Sequence, residues 1–172
     1  MGLPRSLKKM AMFHGNQTWI GEVNEVTLPK LTRKTADWRG GGMPAGVPID
    51  LGMDNIGEIS FTAGGPMQKA ISAFGGSLTG QLIRFVGYYQ ADDTQLADVV
   101  EVTVRGRYSE IDFGSQKVGD NVGAFKGTIK CSYLKIVWNG SKLIEIDPLN
   151  MVEIVDGINI GSTALKALGL AF

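Results

Sequence analysis

The sequence predicts a mainly β protein, a sandwich or barrel with one or two small helices. Three observations predict it. Apolar residues recur with period two along much of the chain. An Asn-Gly pair separates two strand-like runs. Glycine numbers 24 in 172 residues, with no collagen-like repeat, about twice the usual ~7%. That usage suits turns, bulges and close backbone approaches.

Met10–His14 and Gln17–Val23 flank Gly15-Asn16 and predict a hairpin with a II′-type turn. Val26–Lys34 (VTLPKLTRK) continues as strand. Pro29 cannot donate to a ladder, which puts this stretch at an edge or bulge. Leu28, Pro29, Lys30 and Leu31 are therefore candidate inter-subunit edge residues. Asp37–Pro48 (DWRGGGMPAGVP) reads as a twelve-residue loop, a length that is usually functional or mobile. Trp38 and Arg39 are residue types enriched at interface hot spots. With Gly40, Gly41, Gly42, Met43 and Pro44 they form a candidate inter-subunit loop.

Ile49–Met53 and Ile56–Ala63 read as short strands. Pro66–Phe74 places Pro first, Met67, Ala70, Ile71 and Phe74 at helical spacing, and Gly75 as a stop. Gln81–Gln90 (QLIRFVGYYQ) is rich in branched and aromatic residues and predicts a strand. Ala91–Thr94 supplies a turn. In Ala97–Arg107, Val100, Val102 and Val104 alternate with Glu101, Thr103 and Arg105. Gly123–Lys130 leads into the clearest hairpin, Ile129–Trp138 and Ser141–Ile146, closed by Asn139-Gly140 in a I′ turn. A two-residue loop pairs Trp138 with Ser141, Val137 with Lys142, Ile136 with Leu143, Lys135 with Ile144 and Leu134 with Glu145. Neither side of this hairpin is wholly polar, so both faces are expected to meet something. Ser162–Leu168 reads as a short helix with Ser162 as its N-cap.

Composition bounds the function. A chain of 172 residues is the size of one domain, and the whole length reads as a single one. Lys plus Arg and Asp plus Glu both number 17, for zero net charge, which argues against a dedicated nucleic-acid binder. Cys131 is the one cysteine, so no internal disulfide exists and a reducing compartment is expected. The N-terminal MGLPRSLKKMAMF lacks the apolar core of a signal peptide. No apolar run approaches the ~20 residues of a membrane-spanning helix, and no stable membrane association is expected.

Catalytic inventory is thin. His14, the one histidine, flanks a turn and is expected to be exposed. Cys131 is expected to be a packed strand residue rather than a nucleophile. Asp92-Asp93 belongs to a turn, and Glu110/Asp112 and Glu145/Asp147 read as solvated rims or subunit contacts. Gly40–Gly46 lacks the Lys-Ser/Thr of a phosphate loop. Arg84, Arg105 and Arg107 are expected to pair with strand neighbours. Asn139-Gly140-Ser141 matches a glycosylation sequon without a secretory signal to make it meaningful. No catalytic, metal or cofactor site emerges. Unpaired sheet edges are an aggregation liability unless meant to pair, so a self-assembling subunit is the economical reading. An enzyme with convergent polar groups and a monomeric Ig-like binding module are the alternatives.

Several stretches resemble the major tail tube protein family of contractile-tailed bacteriophages and related tail-like bacteriocins. They are Val26–Lys34, Trp38–Met43 (WRGGGM), Ile49–Asp54 (IDLGMD), Ile83–Thr94 (IRFVGYYQADDT), Val102–Phe113 (VTVRGRYSEIDF), Ile144–Met151 (IEIDPLNM) and Val155–Asn159 (VDGIN). The resemblance implies a two-sheet, barrel-like subunit flanked by an α-helix. It implies homohexameric rings whose inner sheets join edge to edge into one continuous β-barrel. Rings would stack into a tube, with a sheath protein outside and a baseplate or initiator and a terminator at the ends. Tubes would assemble in the bacterial host cytoplasm, become part of the virion tail, and pass DNA non-specifically through the lumen into the host. Type VI secretion tubes share this architecture. Zero net charge agrees with such a conduit. DNA carries one negative charge per ~1.7 Å of duplex axis, and a strongly basic lining would hold it.

Overall fold

The computed structural model describes residues 2–119 and 125–170. Twelve strands are present among them: β1 (Arg5–His14), β2 (Gln17–Thr18), β3 (Val23–Thr27), β4 (Thr32–Trp38), β5 (Val47–Asn55), β6 (Glu58–Ala63), β7 (Gln81–Ala91), β8 (Ala97–Asp112), β9 (Phe125–Trp138), β10 (Ser141–Asp147), β11 (Val152–Val155) and β12 (Ile158–Asn159). Helix α1 (Gln68–Ser72) lies between β6 and β7, and α2 (Ser162–Ala167) follows β12. The main sheet runs β12-β11-β10-β9-β8-β7-β1-β2, while β6 also pairs with β9, and β3 with β6. Every pairing between these strands is antiparallel. Strands β4 and β5 form a separate two-stranded sheet. The fold is mainly β, and its sheets do not close.

Strand β9 organises the architecture. Along one edge it pairs with β8 from Lys126 to Trp138. Its other edge is divided: Phe125–Lys130 pairs with β6, and Leu134–Trp138 with β10. One long ribbon, β8–β9, is thus shared by two sheet arms. The ribbon bends at a register shift between Arg105 and Gly106. A Cβ on Gly106 would lie 2.1 Å from the Lys130 carbonyl oxygen, so only glycine fits this corner. The Ser132 hydroxyl lies 3.0 Å from the Leu78 carbonyl and 3.3 Å from that of Arg105, satisfying polar groups where the ladder is interrupted.

The predicted alternation of β8 is observed. Asp98, Val100, Val102, Val104 and Tyr108 point inward, and Val99, Arg105 and Arg107 are exposed. Val100, Val102, Val104 and Tyr108 join Met12, Ile83, Phe85, Leu134 and Phe61 in one core. At one end that core is aromatic. Trp19 lies 5.2 Å from Phe61, and Phe61 6.4 Å from Tyr108, between ring centroids.

Several local expectations need correction. Asn139 and Gly140 have φ of 49° and 82°, as a I′ turn requires, and Trp138–Ser141 and Val137–Lys142 pair as expected. A bulge then skips Leu143, so Ile144 pairs with Ile136 and Glu145 with Lys135. A two-residue turn fixes only the first rungs; pairing of β10 with β11 on its other edge sets the rest. Gly15 has the positive φ of a II′ turn, but β2 ends at Thr18 because the next residue, Trp19, turns into the core. Val26–Lys34 is not continuous strand. It breaks between β3 and β4, where Pro29 lacks a donor and Leu28 and Leu31 pack against the core. The Pro66–Phe74 helix shrinks to α1, with Met67 as its N-cap. The N-cap of α2 is Gly161, not Ser162, whose hydroxyl instead donates to the Asn159 carbonyl. Gly123, at the start of the predicted lead-in to the hairpin, lies outside the described residues.

Candidate assembly surfaces

The expected loop Asp37–Pro48 is a strand-flanked arm. Asp37 pairs with Pro48 and Trp38 with Val47, so β4 and β5 rise as a hairpin whose tip is residues 39–46. A period-two reading missed β4 because TRKTADW has few apolar residues to alternate. At the tip, the Arg39 Nε donates to the Met43 carbonyl at 3.2 Å, and the Met43 N–H to the Gly40 carbonyl at 3.2 Å. Gly40 N–H sits 3.0 Å from Met43 Sδ. Gly41, Gly42 and Pro44 complete this turn.

The arm has two unlike faces. Ala36 opposes Ile49 and Trp38 opposes Val47 on one; Thr35 opposes Asp50 and Asp37 opposes Pro48 on the other. The first face is apolar and uncovered, with Trp38 63% exposed. Leu51, 58% exposed, occupies the register shift below it. At the base, Arg33 forks between two carboxylates, Nε to Asp50 Oδ2 at 2.5 Å and Nη1 to Glu153 Oε1 at 2.9 Å. The Arg33 guanidinium, followed by the Gly52 N–H, holds the Asp50 carboxyl below its usual range. Met53 packs against the core. The arm is thereby fixed at its base to β11 and free beyond it.

Leu28, Pro29, Lys30 and Leu31 are not strand residues, so they present no ladder edge of their own. Leu28, Pro29 and Leu31 are half-buried, and Lys30 is exposed. The free edges nearby are those of β3, β4 and β5.

A second feature escaped the sequence. The corner between β7 and β8 grips the N-terminal strand. Leu3 N–H donates to Asp93 Oδ2 at 3.2 Å, Lys8 Nζ lies 2.7 Å from Asp92 Oδ1, and Arg5 pairs with Asp98. The Asp92-Asp93 pair thus does more than shape its turn. No spacing signal marks these contacts, which join residues some 90 positions apart.

His14 is the clearest reversal. It is buried, 1% exposed, and stacks on Trp19 at 4.9 Å and on Tyr108 at 5.8 Å. Neither ring nitrogen has a hydrogen-bond partner. Its position in β1 opposite Ile83 of β7 turns it into the core, a fact only the pairing reveals. Cys131 is half-buried, and burial pushes its thiol up to about 11, as an inert packed residue requires. Arg84 pairs with Glu101 at 3.5 Å and covers the Phe13 ring at 4.4 Å. Among the described residues no group of His, Cys, Asp and Glu could hold a metal, and no helix is long and apolar enough to cross a membrane.

The C-terminal segment forms a third surface. Ile158, Ile160 and Leu168 are exposed around α2, with Leu149 and Met151 beside them. Two small cavities border the helix, of about 290 and 230 Å³. Met151, Val152 and Leu165 line both.

An open β fold with free edges and an uncovered apolar arm has the build of a structural assembly subunit. Comparison with known proteins agrees. Residues 4–169 match the family described as phage tail tube protein FII. The tail tube protein of Escherichia phage P2 is 40% identical, over 99% of this chain and 100% of its own. The major tail tube protein of Serratia phage KSP20 is 37% identical, over 99% of each. Among solved structures, a chain from the PVC sheath/tube terminator of an extracellular contractile injection system shares the fold. Its TM-score is 0.57 at 12% identity, over 78% of this chain and 97% of that one. The chain belongs to the phage tail tube protein family, whose members are components of the virion tail.

Proposed function

We propose that this chain forms homohexameric rings that stack into the inner tube of a contractile phage tail. The arm carries the reading: a fixed, two-stranded element with an apolar face that its own subunit leaves bare. Such a face is stabilised only by a partner. Trp38, Arg39, Gly40, Gly41, Gly42, Met43 and Pro44 lie at its end and contact the adjacent ring. Free sheet edges, including the stretch near Leu28–Leu31, meet neighbours within a ring and close the inner barrel. The sheath surrounds the tube, and an initiator and a terminator bound its ends. Assembly takes place in the host cytoplasm. The neutral chain gives DNA a passage to which it does not adhere. The role is structural rather than enzymatic. A second reading, the tube of a tail-like bacteriocin or injection device, is favoured by the likeness to the injection-system terminator. Light scattering across a concentration series tests the proposal. Mass should rise to a hexamer or its multiples, and a monomer at every concentration, together with tail particles lacking this chain, would refute it.

A further inference from the structure

We infer that the arm's apolar face in one copy is received by the C-terminal surface around α2 of a second copy. This rests on the tube reading and names the socket that the arm enters.

Side chains alternate along a strand, so Arg33, Thr35 and Asp37 share one face of β4, and Ala36 and Trp38 share the other. Arg33 meets Glu153 of β11, and its cross-strand partner Met53 lines the larger cavity beside α2. The arm's polar face therefore looks toward its own C-terminal surface. Trp38, Val47 and Ile49 look away from it.

Arg33 pins the base, and Trp38 lies five residues further, ~16 Å along the strand. A hydrogen-bonded ribbon anchored there cannot fold its outer face back onto its own α2, but the α2 of another copy is open to it.

Other surface cavities of the described residues are polar: Gln17, Glu22, Gln68 and Lys69 line one, and Glu25, Glu110 and Lys126 another. The two beside α2 are lined by Ile146, Met151, Leu165 and Leu170. Their surroundings add exposed Ile158 and Leu168. Trp38, Val47 and Ile49 match this surface and not the polar ones. Knob and socket are different surfaces of one chain, so the contact is head-to-tail and propagates into rings or filaments.

Cross-linking in assembled tubes tests the inference. In a Cys131→Ser background, one chain carries Ile49→Cys and a second, of distinguishable length, carries Leu168→Cys. Co-assembled tubes should yield a heterodimer on oxidation. A control pairing Ile49→Cys with Phe74→Cys, on the α1 side, should yield none. Trp38→Ala should raise the concentration needed for assembly about tenfold with an unchanged melting temperature. Normal tubes with no arm-to-α2 link, or with links to the control position instead, would overturn the inference and leave the tube reading standing. Failure of the wild-type chain to form rings or tubes both alone and in the tail particle would overturn both.

Discussion

Asn139 Nδ2 donates to Asp98 Oδ1 at 2.8 Å, tying the β9–β10 turn to the first rungs of β8. The same amide accepts the Val99 N–H through Oδ1 at 2.8 Å, and Arg5 pairs with the other oxygen of Asp98. Three chain segments meet at one carboxylate that is almost completely buried. Replacing Asp98 by Ala leaves the Arg5 and Asn139 donors without their acceptor. We expect the melting temperature to fall on the order of 5 °C, read by circular dichroism, with Asp98→Asn less affected. Asn139, then Arg5, hold this carboxyl below its usual range. Its contribution is present above the unfolded carboxylate value and is lost as pH falls through the lower folded value.

The turn itself is a sharper test of local geometry. Gly140 has φ of 82°, where a branched side chain is strained. Gly140→Val should cost about 1–2 kcal/mol in denaturant unfolding. An unchanged midpoint would contradict the hairpin.

His14 makes stability depend on pH. Burial, and next the Lys69 charge, lower its pKa from 6.5. Of the groups around it, α1 contributes the Lys69 charge, while the Tyr108 ring of β8, the Trp19 ring and Ile83 of β7 add no charge. The unfolded chain then binds a proton that the native chain resists, so stability is complete above pH 6.5 and declines as pH falls below it. Because it is the one histidine, its NMR titration is unambiguous and should give a value under 6.5. Between pH 7.5 and 5, wild type should lose more melting temperature than His14→Phe. Equal losses would remove His14 as the cause.

Gly106 marks the bend of the β8–β9 ribbon. Gly106→Ala drives a methyl into the Lys130 carbonyl, and we expect a loss of about 2 kcal/mol or more, measured as a lower denaturant midpoint. Wild-type stability in this variant would mean that the ribbon corner is not close-packed.

Arg33 sets the arm's stance without belonging to the core. Arg33→Gln should leave the melting temperature nearly unchanged, because exposed ion pairs contribute little. Amide exchange across residues 32–55 should accelerate. Unaltered exchange would show that Met53 alone holds the base.

Much of this was legible in sequence because it is local. Val100, Val102 and Val104 announced the buried face of β8, and Asn139-Gly140 announced its turn. The inward position of His14 was not legible, because a turn flank looks solvent-exposed until β7 is laid beside β1. Nor was the Leu143 bulge, which depends on what pairs with the far edge of β10. The arm was half visible. Its tip declared itself through Gly40–Gly42 and Pro44, while β4, polar and uncovered, lacks the alternation that burial imposes. In the proposed tube the surface that covers it lies outside a single chain, and so does the pattern that would have revealed it.

Electron microscopy of the purified full chain at rising concentration, beside the tail particle that contains it, tests the central claim most directly. The account predicts six-fold rings and stacked tubes in the particle, with the arm of each subunit against another copy. Monomers at high micromolar concentration and a particle with no ring of this chain would contradict it.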